Sequence, residues 1–121
     1  MPGKKEQHKC SIISVGTISK LLLLREAILQ SSGFVVFSTT RLAEALAAME
    51  RNNFDVLLLC YSVRNEWRAD LVHKFREHYR AGRVVEITDR PITQLPTDVD
   101  QVVYGIEGPD ALMDAIRGRA A

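Results

Sequence analysis

The sequence is short of the residues that staple small proteins together. Cysteine occurs twice, as Cys10 and Cys60 far apart in the chain, and histidine three times, as His8, His73 and His78. Neither a disulfide framework nor a zinc site, which needs Cys or His pairs at close spacing, is expected, and both thiols read as reduced. No metal or other cofactor is expected. An excess of one charge is lacking too: 16 Lys and Arg stand against 15 Asp and Glu, a formal net charge of +1. That leaves no global basicity to hold nucleic acid or an anionic membrane. The longest apolar run, Val56 to Tyr61, is far short of a membrane span. The start Met1-Pro2-Gly3-Lys4-Lys5-Glu6 leads into no hydrophobic stretch of the kind a secretory signal needs, so a cytoplasmic protein is expected. Gly16 has no glycine-rich loop around it, which excludes a phosphate cradle of the P-loop or dinucleotide type.

What is present is an ordinary globular composition, 46% hydrophobic and 26% charged over 121 residues, enough for one core. Residues 1–9 read as a loose tail and 10–118 as a single domain. Cys10 to Val15, closed by Gly16, reads as a strand. Ser19 then caps a helix over Lys20 to Gln30, with Leu21, Leu24 and Ile28, joined by Leu22 and Leu29, as its core stripe and Gly33 as a left-handed stop. Phe34 to Ser38 reads as a second strand, and Thr39 or Thr40 as the cap of a helix that buries Leu42, Ala45, Leu46 and Met49 and ends at Asn52-Asn53. Asp55 to Cys60 is apolar at successive positions, as a strand covered on both faces must be, and is expected at the centre of a parallel sheet. Trp67, Leu71, Phe75 and Tyr79 recur every four residues in a third helix that stops near Gly82, before a strand over Arg83 to Thr88. Residues 89–100, with Pro91 and Pro96, show no helical period; Gln101 to Tyr104 is a short fifth strand, and Pro109 opens a last helix that closes at Arg117-Gly118. Strands alternating with helices imply βαβ crossovers and a doubly wound α/β fold with a five-stranded parallel sheet.

In such sheets, ligands and chemistry sit at the C-terminal strand ends. Here these carry Gly16-Thr17, Cys60-Tyr61, Thr88-Asp89 and Gly105-Ile106. The run Gly33-Phe34-Val35-Val36-Phe37-Ser38-Thr39-Thr40-Arg41-Leu42-Ala43-Glu44-Ala45-Leu46, continued by Phe54-Asp55-Val56-Leu57-Leu58-Leu59-Cys60, resembles the second and third strands of a response-regulator receiver domain. The resemblance covers roughly residues 10 to 117 and implies the flavodoxin-like strand order 2-1-3-4-5. It also implies a phosphoacceptor aspartate at the end of the third strand, an acidic pair after the first strand that holds Mg²⁺, and a Thr or Ser and a Lys that read the phosphate. This sequence places Cys60 at the phosphoacceptor position, Gly16 and Thr17 at the acidic pair and Gly105 at the lysine, and keeps only Thr88. The family's fourth helix is shortened or missing in residues 89–100.

These departures lead to an expectation of a non-catalytic pseudo-receiver: a regulatory module of signal transduction that takes no aspartyl phosphate and acts through protein contacts. Its partner is expected to be another signalling protein or a second copy of the chain, with Tyr104 on the late strands that receivers use for pairing. Cys60 is expected to fill the space an aspartate would occupy, as a small buried apolar group. The alternatives are a thiol sensor using Cys60 and a small-ligand site in the emptied pocket. Arg64, Arg68, Lys74, Arg76, Arg80 and Arg83, with Trp67 and Tyr79 between them, form the one basic cluster. Glu66, Asp70 and Glu77 interrupt it, so it reads as a solvated face open to a protein partner rather than to nucleic acid. Opposite it in sign, Glu86, Asp89, Asp98, Asp100, Glu107, Asp110 and Asp114 face Arg90 alone between Val85 and Asp114. Such a dipolar surface is expected to steer association.

Overall fold

The computed structural model describes residues 9–90, 96 and 98–118. In chain order they form β1 (Ser11–Val15), α1 (Ser19–Ser31), β2 (Val35–Thr39), α2 (Leu42–Arg51), β3 (Val56–Leu59), α3 (Asn65–His78), β4 (Arg83–Thr88), β5 (Gln101–Tyr104) and α4 (Pro109–Arg117), with a 3-10 turn over Gly105–Glu107. The strands make one five-stranded sheet in the order β2-β1-β3-β4-β5. Every pairing is parallel. This is the expected class and strand order, with β3 at the centre.

The two-residue period of a strand splits its apolar run between the two faces of the sheet. Ile13, Val15, Leu57, Leu59 and Val84 join a cluster with Ala45, Met49, Leu71 and Phe75 from α2 and α3. Ile12, Val56, Leu58, Val85, Ile87 and Val103 join the opposite cluster with Leu29 of α1 and Leu112, Ala115 and Ile116 of α4. All four residues of β3 are buried, as a central strand with helices on both faces requires.

Helix boundaries follow the sequence, while two caps and one apolar position differ from expectation. Ser19 is the first helical residue of α1, and Ile18 stands at the cap with no side-chain hydrogen bond. Arg41, not a threonine, caps α2. Thr39 is buried at the end of β2, and from there its hydroxyl accepts the Arg41 N–H at 3.0 Å and donates to the Glu44 carboxylate, so it fixes the first turn of α2 from outside the helix. Leu24, expected in the core stripe, is 58% exposed, and Leu23 beside it 63%. A helix turns successive residues by about a quarter turn or more, so a run of four leucines cannot all face one sheet; Leu22 and Leu29 take the buried positions. Gly33 does stop the helix, with φ at 96°. Its N–H donates to the Gln30 carbonyl and the Phe34 N–H to the Leu29 carbonyl, the paired bonds of a Schellman ending.

Of the segment between β4 and β5, residues 91–95 and 97 lie outside the described residues, as does most of the expected N-terminal tail. Its described residues, 89, 90, 96 and 98–100, are not helical. Beside them Arg68 of α3 reaches across to β4 and to the approach of β5. Its guanidinium meets Glu86 at 2.9 Å and Asp98 at 2.8 Å, with its side chain only 18% exposed. Arg76 bonds Asp100 at 3.1 Å and the Gly82 carbonyl, also at 3.1 Å. The basic face of α3 and the acids near β5, which the sequence presents as opposed surface charges, therefore neutralise each other inside the molecule in part.

Candidate functional site

The C-terminal ends of β1 and β3 lie side by side, because the Cys60 N–H continues the ladder to the Val15 carbonyl at 2.9 Å. Gly16 on the neighbouring strand end is buried. A Cβ placed on Gly16 would stand 2.8 Å from Cys60 Cβ and 3.4 Å from both Cys60 Sγ and Leu22 Cδ2. Its φ lies outside the left-handed region, so space alone fixes glycine at this position. Cys60 is 4% exposed and packs within the α2–α3 cluster.

Arg25, from the middle of α1, completes the arrangement. Its Nη1 donates to Cys60 Sγ at 3.1 Å, which sets a cation against the thiol. Sequence reasoning missed Arg25. The available signal was a lone charge at three- and four-residue spacing from Leu21, Leu22, Ile28 and Leu29, on the stripe that packs toward the sheet.

The remaining expected positions have bonding partners or neighbours other than Cys60. The Thr17 N–H donates to Ser62 Oγ at 2.9 Å and its hydroxyl to the Ser62 carbonyl at 3.3 Å, which ties the β1–α1 turn to the β3–α3 turn. Thr88 Oγ1 donates to the Arg90 carbonyl at 2.9 Å and accepts the Arg90 N–H at 3.3 Å, closing its own turn. Gly105 is exposed, and a Cβ there would meet the Thr88 carbonyl at 3.4 Å. Gly16, Thr17 and Cys60 thus come together with Arg25 and Ser62, while Thr88 and Gly105 form a second pair at the ends of β4 and β5.

Magnesium takes oxygen ligands in near-octahedral geometry. The Cys60 end offers a thiol, a glycine without room for a side chain, one threonine hydroxyl oxygen, and a guanidinium, with no carboxylate among them. This donor set does not fit Mg²⁺. Among the described residues no three of His, Cys, Asp and Glu cluster as metal ligands. The second thiol, Cys10, is half-buried at the opposite end of β1; burial and, after it, the Asp55 carboxylate push its pKa up, against a smaller pull from Arg117.

Of the arginines expected on an interaction face, Arg68 and Arg76 are bound internally as described, whereas Arg64 and Arg80 are exposed. Tyr104 is half-buried at the end of β5, in register with Thr88. No helix among the described residues is long and apolar enough to cross a membrane.

No family model and no curated protein matches the chain. Solved structures do. The chemotaxis protein CheY4 of Vibrio cholerae superposes with a TM-score of 0.80 at 15% identity, over 93% of this chain and 100% of that one. The response regulator TrrA of Thermotoga maritima, in complex with Mg²⁺ and BeF, gives 0.76 at 16% identity, over 90% and 97%. A CheY-like receiver domain from Methanospirillum hungatei gives 0.76 at 17%, over 92% and 93%. At these identities the likeness shows a shared fold: the chain has the receiver architecture along nearly its whole length.

Proposed function

We propose that this chain is a pseudo-receiver, a non-catalytic cytoplasmic module of signal transduction that takes no phosphoryl group at its strand ends and acts through protein contacts. The observation that carries this reading is the Gly16–Cys60–Arg25 arrangement. A thiol stands at the end of β3, the adjacent strand end has no room for a carboxylate side chain, and a guanidinium binds the sulfur at 3.1 Å. A cation in that place repels Mg²⁺, and a buried thiol accepts no phosphoryl group by the aspartyl route. TrrA, one of the proteins sharing this fold, carries Mg²⁺ and BeF in one structure and is bound to the histidine kinase ThkA in another. Here only the protein contact is retained, with another signalling protein or a second copy of the chain.

The test is a titration with Mg²⁺ and beryllofluoride, followed through the amide signals of Gly16, Cys60, Thr88 and Gly105. None should shift saturably; saturable, Mg²⁺-dependent shifts at these positions would overturn the reading. Sedimentation velocity over a range of concentrations identifies the contact: a dimer assigns it to a second copy, a monomer to a different signalling protein.

One observation favours a second reading. Cys60 is a free thiol whose sulfur accepts from a guanidinium at 3.1 Å, a cationic contact of the kind that reactive thiols make. Against it, Cys60 is 4% exposed. Rapid alkylation of Cys60 by iodoacetamide in the folded protein at neutral pH would make the thiol sensor the better account; protection until the protein unfolds supports the pseudo-receiver.

A further inference from the structure

α1 and α4 cover the same face of the sheet, and near the ends of β4 and β5 they stand apart around a cleft of about 220 Å³. Leu21, Ile28 and Leu112 wall it and Ile87 and Val103 underlie it, while the exposed Leu24 stands at its mouth. Among the described residues the lining includes no acidic side chain and a single cation, Arg25.

Arg25 is under-partnered for such a place. Beyond the bond from Nη1 to Cys60 Sγ, its other N–H groups meet no acceptor, and its guanidinium no carboxylate, among the described residues. Arg25 is partly exposed with the rest of its guanidinium within reach of solvent, so a ligand entering the cleft can take up its free N–H groups, and the partner matched to its planar fork is a carboxylate. The apolar walls fix the rest of the occupant. A dry cavity of about 150 Å³ takes benzene, so this cleft has room for a body of that size with a carboxylate beside it.

We propose that the cleft between α1 and α4 binds a small apolar monocarboxylate, its carboxylate on the Arg25 guanidinium and its hydrocarbon body against Leu21, Ile28 and Leu112. Leu24 then has a role at the mouth of a site, which accounts for a large apolar side chain held in the open. Such a site is independent of phosphoryl chemistry at the Cys60 end, and either can be absent while the other holds.

The test uses phenylacetate as probe, with phenylacetamide and phenethylamine as its neutral and cationic analogues, titrated into the whole chain and followed by amide chemical shifts. Phenylacetate should give saturable shifts at Leu21, Ile28, Gly105 and Leu112. Phenylacetamide should bind at least about tenfold more weakly, because the charge-assisted bonds to Arg25 are lost, and phenethylamine should give no saturable shift. Arg25→Gln should abolish the preference for carboxylate over amide. Should that variant fold poorly, Leu24→Asp, at the exposed mouth of the cleft, should weaken phenylacetate more than it weakens phenylacetamide, so that the preference for carboxylate over amide falls. No saturable shift in the cleft with phenylacetate, equal affinity for all three probes, or a carboxylate preference that survives both substitutions would overturn the proposal.

Discussion

Among single residues, Gly16 and Cys60 carry most of the meaning, and they do so as a pair. The Cβ–Cβ approach of 2.8 Å that any side chain on Gly16 would make is closer than real Cβ atoms tolerate, and the wall it meets belongs to a buried strand end. Gly16→Ala should therefore destabilise the fold by about 1–3 kcal/mol, as overpacking of a filled interior does. Removing the opposing Cβ should relieve this: Cys60→Gly lowers stability by itself, but the double variant should be more stable than the sum of the two single effects predicts. Chemical denaturation of the four proteins closes the cycle, and strict additivity would show that the two positions do not press on each other. Restoring an acidic pair by substitution at Gly16 and Thr17 is correspondingly expected to cost stability before it creates any chemistry. The sequence made Gly16 and Cys60 visible as departures from a pattern. It did not reveal Arg25, because a helix face is chosen by what packs around it, and nothing local to Leu21–Ile28 says that a sulfur from β3 lies within reach.

At the scale of elements, the gap between β4 and β5, whose described residues are not helical, is tied to α3 from the side. Arg68 spans it, and its two carboxylate partners sit on β4 and on the approach to β5. Burial works against its charge, but the hydrogen bonds to Asp98 and then Glu86 outweigh that and push its pKa up. Arg68→Ala should cost on the order of 1–2 kcal/mol in a denaturant midpoint, since it strands two partly exposed carboxylates. Arg68→Lys should recover less than half of that, because an ammonium cannot present the fork that meets both. Full recovery by lysine would reduce the network to simple charge balance. The strand assignments and the order of elements were legible in the sequence, since continuous apolar runs and four-residue periods are set locally. The pairing of α3 with the acids near β5 was not, since it depends on which elements the topology brings together. The same holds for the caps: Thr39 holds the first turn of α2 from within β2, a placement set by where the strand ends.

For the molecule as a whole, part of the opposed charge of a near-neutral sequence is taken up in short-range pairs, Arg68 with Glu86 and Asp98 and Arg76 with Asp100, while Arg64 and Arg80 stay exposed. Asp100 bonds the backbone as well: its carboxylate accepts the Val84 N–H at 2.7 Å and bonds Arg76 at 3.1 Å. Burial pushes its pKa up, but these bonds outweigh burial and hold it below the usual aspartate value. A carboxyl with a depressed folded-state pKa adds stability that is fully present above its unfolded pKa of about 3.9 and is lost as pH falls through the folded value. Asp100→Asn should therefore lower stability at neutral pH and flatten the loss of stability below about pH 4, measured as denaturant midpoints across that range; an acid limb as steep as the wild type's would contradict this linkage. The fold is the receiver architecture, while Cys60, Gly16, Thr17 and Gly105 stand at the strand-end positions where the resemblance implies acids and a lysine, and Arg25 of α1 bonds the thiol. The most direct measurement is intact mass with peptide mapping after incubation with acetyl phosphate and Mg²⁺. The protein should keep its unmodified mass; a Mg²⁺-dependent phosphoryl adduct on an aspartate would contradict the account.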